Sequence, residues 1–240
     1  MSKPPTIDRK ELKTPDAFVS KGTQFLNRIS QSRIGLIPIL LVSVLIAVGF
    51  YGYDLWEQRQ EEKAWAEYYL ANKVEGDAKW EKLKAFQTAW SGSRASLLAA
   101  VEIADHHFEN AKKEWGKDKN KVQAEAGLAA EWYSKAVQYR QLAPVEKQLI
   151  SLNKGNAEEL LEKWAESFSD YEKAYSVTAP AKGLALLSMG RVQEAQGEKE
   201  KAAQTYEKVF TEFAASEYAK VAKANWRKLK SPLLSAGTSK

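Results

Sequence analysis

Cysteine is absent from all 240 residues. With it go disulfide staples, thiolate metal sites and thiol nucleophiles, so stability must come from apolar burial. Histidine occurs only as the adjacent pair His106-His107. Neighbouring helix positions point about 100° apart, so the pair cannot grip one ion as an i, i+4 pair does. One half-buried and one exposed ring is the expectation. The thirteen glycines are scattered rather than grouped, which leaves no phosphate-binding loop. Neither an HExxH motif nor a nucleophile elbow interrupts the acidic and basic residues. These gaps point away from enzymatic activity and from any catalytic, cofactor or metal site.

Charge of one sign is also scarce over most of the chain. The net charge is +5, and the first 33 residues hold +4 of it, with seven Lys/Arg against three acids. The remainder is nearly neutral. Its basic residues alternate with glutamate, as in AKKEWGKDKNK and GEKEKAAQTYEK, which reads as a solvated helix surface. A nucleic-acid footprint needs cations gathered on one face, so no nucleic-acid partner is expected.

Long apolar runs are rare too, and the one present organises everything else. Ile34 to Tyr53 holds no charge in a chain where 28% of residues are charged. As a helix of about 1.5 Å per residue, such a run spans roughly the 30 Å of a bilayer's hydrocarbon core. A cleaved signal peptide has a shorter apolar stretch and a small-x-small cleavage site. Here the run closes on Phe50, Tyr51, Gly52 and Tyr53, followed by Trp56. Aromatic rings at that place suit the headgroup belt. The run therefore reads as a permanent anchor, with Tyr51, Tyr53 and Trp56 at one interface and Arg28 and Arg33 at the other. The basic bias of the preceding tail keeps the N-terminus in the cytoplasm and exports the large C-terminal part. Within the tail, Thr14-Pro15-Asp16 opens a short amphipathic helix whose Phe18, Phe25 and Ile29 share a face. That helix either lies on the inner leaflet or docks a membrane partner.

From Asp54 onward the apolar spacing is helical and no strand alternation is visible. Trp65, Tyr68 and Tyr69 lie on one predicted face. Asp77 is a candidate N-cap for a helix with Trp80, Leu83 and Trp90 inward. Further stripes follow: Leu97, Leu98, Val101, Ala104 and Phe108; Leu128, Trp132, Tyr133 and Ala136; Leu160, Leu161, Trp164, Phe168 and Tyr171. Asn156 with Glu159 has the spacing of a capping pair for the last of these. Pro144 and Pro180 fit first-turn positions.

The stretch Gly183 to Ser216 has the pattern of two packed helices. Leu186, Met189 and Gly190 fall where a first helix meets a second, and Gly197 falls in the turn. Ala202 sits at the crossing, and Tyr206 closes the pair with a large ring. Val209 and Ala214 stand where the tetratricopeptide repeat, which this stretch resembles, usually has Ala and Pro. Trp90-Ser-Gly-Ser93 echoes Phe213-Ala-Ala-Ser216, each placing a ring three residues before a serine able to cap the next helix. Ala129, Tyr133 and Ala136 repeat the second-helix pattern more weakly. Tyr218, Ala222, Trp226 and Leu229 form a closing amphipathic helix.

Gly183–Ser216 resembles a tetratricopeptide repeat. The expected fold is all-α, one transmembrane helix followed by a tetratricopeptide-like α-solenoid. Its parts are a basic cytoplasmic tail (1–33), an anchor (34–53) and membrane-proximal helices (54–92). A repeat domain (93–230) and a flexible tail (231–240) follow. With PDAFVSKGTQFLNRI ahead of the anchor, this order of parts resembles the bacterial ancillary Sec-translocon subunit family. The resemblance implies a periplasmic, chaperone-like scaffold at the inner membrane. Its implied partners are the Sec translocon, a membrane-anchored prolyl isomerase and exported client proteins. A structural scaffold of a division, secretion or cell-wall complex, without unfolded clients, is the alternative.

Overall fold

The computed structural model describes Thr23, Gln24, Asn27 and residues 33–231. Among the described residues it contains nine α-helices and no strand. By internal contacts the chain divides into two units, Met1–Arg59 and Gln60–Lys240. The helices are α1 (Arg33–Asn72), α2 (Asp77–Ala89), α3 (Arg94–Glu114), α4 (Lys119–Val137), α5 (Pro144–Leu160), α6 (Trp164–Ser176), α7 (Lys182–Ala195), α8 (Lys199–Glu212) and α9 (Glu217–Lys230).

Local chemistry sets most of these boundaries. Ser93 caps α3 by accepting from the Ser96 N–H, and Ser216 caps α9 by accepting from the Ala219 N–H. Asp118 caps α4 by accepting from the Asn120 and Lys121 amides. Such caps satisfy donors that have no partner inside the helix. Pro144 opens α5, where its missing N–H costs nothing. Glu146 completes that start by accepting from the Ala143 amide at 2.9 Å, and it also pairs with Arg94 of α3. Gly197, between α7 and α8, has φ +79°, a conformation that glycine adopts without Cβ strain.

In the second unit, from α2 onward, each helix packs on its successor, and α9 also reaches back to α7. The core is three clusters in series. The first joins Ala64 and Ala71 to Leu83, Leu97, Ile103, Trp132 and Tyr133, and takes Ile150 and Ala157 from α5. The second joins Leu152 of α5 to Tyr171, Ala174, Ala185 and Val192. The third joins Leu186 and Leu187 of α7 to Ala202, Tyr206, Val209 and Ala222. Helices α5 and α7 thus each serve two clusters, which is why their buried residues occupy more than one face.

Several local expectations are corrected. Asp77 is the first helical residue of α2, and the N-cap is Gly76. Asn156 and Glu159 lie inside α5 rather than at a helix start. The chain breaks after Leu160, turns through Glu162 at φ +59°, and restarts at Trp164. Leu160 and Leu161 therefore do not share a helix with Trp164 and Tyr171. Pro180 lies in the turn ahead of α7, two residues before its first position. Leu128 is exposed, as are Trp65 and Tyr69, whereas Tyr68 packs inward and bonds Glu102. Alanines explain both cases. Ala64 and Ala71 are the buried residues of α1 among those described, and Ala126 and Ala129 are buried on α4. Small side chains let neighbouring backbones approach and leave the larger ones at the edge. His107 is buried and His106 half-buried, so neither ring is exposed.

Candidate functional site

Two features stand out, one in each unit. In the first unit, α1 is long and apolar enough to cross a membrane, with a mean hydropathy of 1.8 in its apolar window and none of that window buried. Leu40, Leu45, Val48 and Phe50 are all exposed, Phe50 by 74%. The Ser43 hydroxyl donates to the Ile39 carbonyl at 2.9 Å, which satisfies it within the helix. Tyr51, Tyr53 and Trp56 are also exposed, and the Tyr53 and Trp56 rings lie 6.0 Å apart. Arg33 begins the helix. Arg28, Phe18, Phe25 and Ile29 lie outside the described residues, as does the proposed cap at Thr14.

In the second unit a buried tyrosine recurs on every second helix, each tied to an acid on the helix before it. Tyr206 of α8 donates to Glu194 of α7 at 3.0 Å. Tyr171 of α6 donates to Glu159 of α5 at 2.8 Å and to Asn156 at 2.7 Å. Tyr133 of α4 donates to Asp105 of α3. The following helix then completes the arrangement. Arg191 of α7 grips Glu159 at 2.6 and 2.8 Å, and Lys228 of α9 reaches Glu194 at 3.0 Å. All three phenols are pushed well above the usual tyrosine range, first by burial and then by the acid beside them. At neutral pH they stay protonated and donate to those acids, while the Tyr171 oxygen also accepts from Arg191 at 3.3 Å.

Two of these tyrosines lie flat against a glycine. A Cβ on Gly190 would stand 2.6 Å from a Tyr206 ring carbon, and one on Gly155 would stand 2.7 Å from the matching atom of Tyr171. The units superpose in sequence: Gly155, Glu159 and Tyr171 precede Gly190, Glu194 and Tyr206 by 35 residues each. Leu186, Gly190, Ala202 and Tyr206 are buried together at the α7–α8 contact, with Met189 at its margin. Gly155 carried no expectation and Glu159 only that of a capping residue, although the spacing G-x3-E-x11-Y marks both units. A search at fixed spacing would have found them.

Polar groups elsewhere are mixed in sign. Between α3 and α4 a shallow cleft of about 240 Å³ is lined by Asn110, Lys113, Glu114, Lys121, Ala124 and Glu125. Glu125 holds the buried His107 by its Nδ1 at 2.7 Å. His106 stacks on Trp80 at 3.8 Å between centroids. The His106 ring is held below its usual pKa range, by burial first and then by the His107 ring beside it. Among the described residues no group of three or more His, Asp or Glu is placed to hold a metal ion. One further buried cluster joins α5 to α6: Lys154 pairs with Glu158 at 3.1 Å and with Asp170, which Lys173 also holds.

Protein-family models, curated proteins and solved structures give no match to this chain.

Proposed function

We propose that the chain is a membrane-tethered, non-enzymatic protein-interaction module. In this reading α1 is the anchor, with the N-terminus in the cytoplasm and the second unit in the periplasm. The second unit is a tetratricopeptide-like α-solenoid, built of helix pairs that each stack on the next. The observation that carries the reading is the Gly–Glu–Tyr unit recurring at 35 residues, close to the 34-residue period of that repeat. In each unit a ring fills the space beside a glycine, so two helix backbones meet closely and the phenol locks the pair. The apolar helix supports the anchor, because a face so exposed in water needs lipid or protein against it.

A tethered array presents one extended surface to partners in the same membrane, at an effective concentration set by the tether. The order of parts favours partners at the Sec translocon, including a membrane-anchored prolyl isomerase and newly exported clients. Photo-crosslinkers placed in cells at Leu45 of the anchor and at Lys208 of α8 test this. Recovery of translocon components and exported chains is expected. Recovery of division or cell-wall proteins alone would replace the reading with that of a structural scaffold. Slowed aggregation of an unfolded exported protein by the full chain is the matching activity in solution.

A further inference from the structure

We propose that the outer face of α9 is a docking surface for an anionic lipid bilayer. Lys220, Lys223, Arg227 and Lys230 recur at i, i+3, i+7 and i+10, which keeps them on one stripe of the helix. The stripe is about 15 Å long. All four side chains are exposed. The adjoining face is occupied: Ala219 and Ala222 are buried, and Trp226 packs edge-on against Phe210 at 5.9 Å.

The charge distribution singles this helix out. Residues 54–216 carry 23 Lys/Arg against 27 Asp/Glu, whereas α9 carries five Lys/Arg against one Glu. Elsewhere cations are interleaved with acids; here they are not. Lys228 is used by Glu194, and Lys220 touches Glu217 at an exposed pair. Lys223, Arg227 and Lys230 hold no ion pair among the described residues. The helix dipole accounts for Arg227, Lys228 and Lys230 in the last turn, but gives no reason for Lys220 and Lys223 in the first half.

Three of the four stripe residues are lysines, flexible point charges that suit a laterally mobile anionic surface better than a fixed bidentate site. Single-stranded nucleic acid would need exposed rings for stacking, and the aromatic residues of α9 pack in the third core cluster. An interface with an acidic protein would need an apolar centre, and the one exposed large apolar residue on α9 is Val221. The bilayer is the remaining occupant. It rests on the reading of α1 as an anchor, which keeps such a surface close by. Each cation near an anionic surface adds about fivefold to the binding equilibrium, and the effect fades within a Debye length.

The absence of cysteine makes the test clean, since Ala224→Cys would carry the only label. Full-length protein with a spin label at that position is added to vesicles of phosphatidylcholine alone, or mixed with phosphatidylglycerol. Resistance to alkaline extraction reports the anchor separately, and the label reports α9 whether the chain is inserted or peripheral. The label should be mobile on the zwitterionic vesicles and immobilised on the anionic ones. High salt should release it, and so should the variant K220Q/K223Q/R227Q/K230Q, with helicity unchanged. Equal mobility on both vesicles overturns the proposal. Immobilisation on zwitterionic vesicles at high protein density, or by an added oligonucleotide, also overturns it, in favour of a second copy or a nucleic acid.

Discussion

At the scale of single residues, the contact between a glycine and a ring decides what each position tolerates. Alanine normally improves a helix over glycine by about 1 kcal/mol. At Gly190 and Gly155 the sign should reverse, because the new methyl would meet a Tyr206 or Tyr171 ring carbon at 2.6 or 2.7 Å. Gly190→Ala and Gly155→Ala should each cost about 1–3 kcal/mol in urea unfolding of the detergent-solubilised chain. Gly127→Ala, where a Cβ meets nothing within 4 Å, should stabilise α4 instead. Equal effects at all three positions would show that the ring contact plays no part. The ion cluster between α5 and α6 has its own signature. Burial lifts the Glu158 carboxyl from its ordinary 4.5 to about 7; Asp170 adds to the rise and Lys154 opposes it. One oxygen, Oε2, is buried without a hydrogen-bond partner. The folded state therefore favours the protonated acid, and the stability this contributes is complete below pH 4.5 and lost as pH rises through about 7. Asp170 has the opposite sign. Burial works against its charge, but Lys154 and Lys173 hold it below its ordinary range, so its contribution is lost as pH falls through that lowered range. Unfolding at pH about 8 should be easier than at about 5 by on the order of 1–3 kcal/mol, and Glu158→Gln should flatten that difference.

At the scale of elements, side-chain caps and one buried amide set where helices begin and how they connect. Ser93→Ala and Ser216→Ala should each cost about 1 kcal/mol, and the two losses should add because the caps belong to separate helices. Gln148 has a larger part. Fully buried on α5, its amide donates to the carbonyls of Ala174, Val177 and Ala179 and accepts from the Ala181 amide at 2.8 Å. One side chain thus satisfies the turn between α6 and α7. Gln148→Ala should cost about 2–3 kcal/mol, since it leaves several polar groups without partners. Amide exchange should accelerate between residues 177 and 181 first. Uniform acceleration along the chain would instead mean that the amide only supports global stability.

For the molecule as a whole, packing between sequence neighbours makes cohesion local. Ending the chain after Ser216 would remove α9 and uncover Tyr206 and Val209, which share its cluster with Ala222. Amide protection should fall in α7 and α8 and stay unchanged in α3 and α4, whose core lies in a separate cluster. A uniform loss of protection would show a single cooperative core. Part of this organisation was legible in the sequence. The serines after Trp90 and Phe213 read as caps because the chemistry of a cap is complete within four residues. Gly197 read as a turn and Tyr206 as a buried ring through the resemblance of Gly183–Ser216 to a tetratricopeptide repeat. Asn156 and Glu159 also had the spacing of a cap, yet they sit inside α5. Their partners, Tyr171 and Arg191, come from two later helices.

The sequence by itself determined the helical class, the single apolar run, the basic tail and the closing amphipathic helix. Each of these follows from spacing or composition within one segment. Tertiary structure alone decided that alanines rather than Leu128, Trp65 and Tyr69 face the core, that Glu158 is buried among charges, and that Gln148 holds a distant turn. Periodicity shows which face of a helix is apolar, but not how closely the neighbouring backbone approaches it. That distance selects a methyl over a ring at the contact, and it depends on every helix packed alongside.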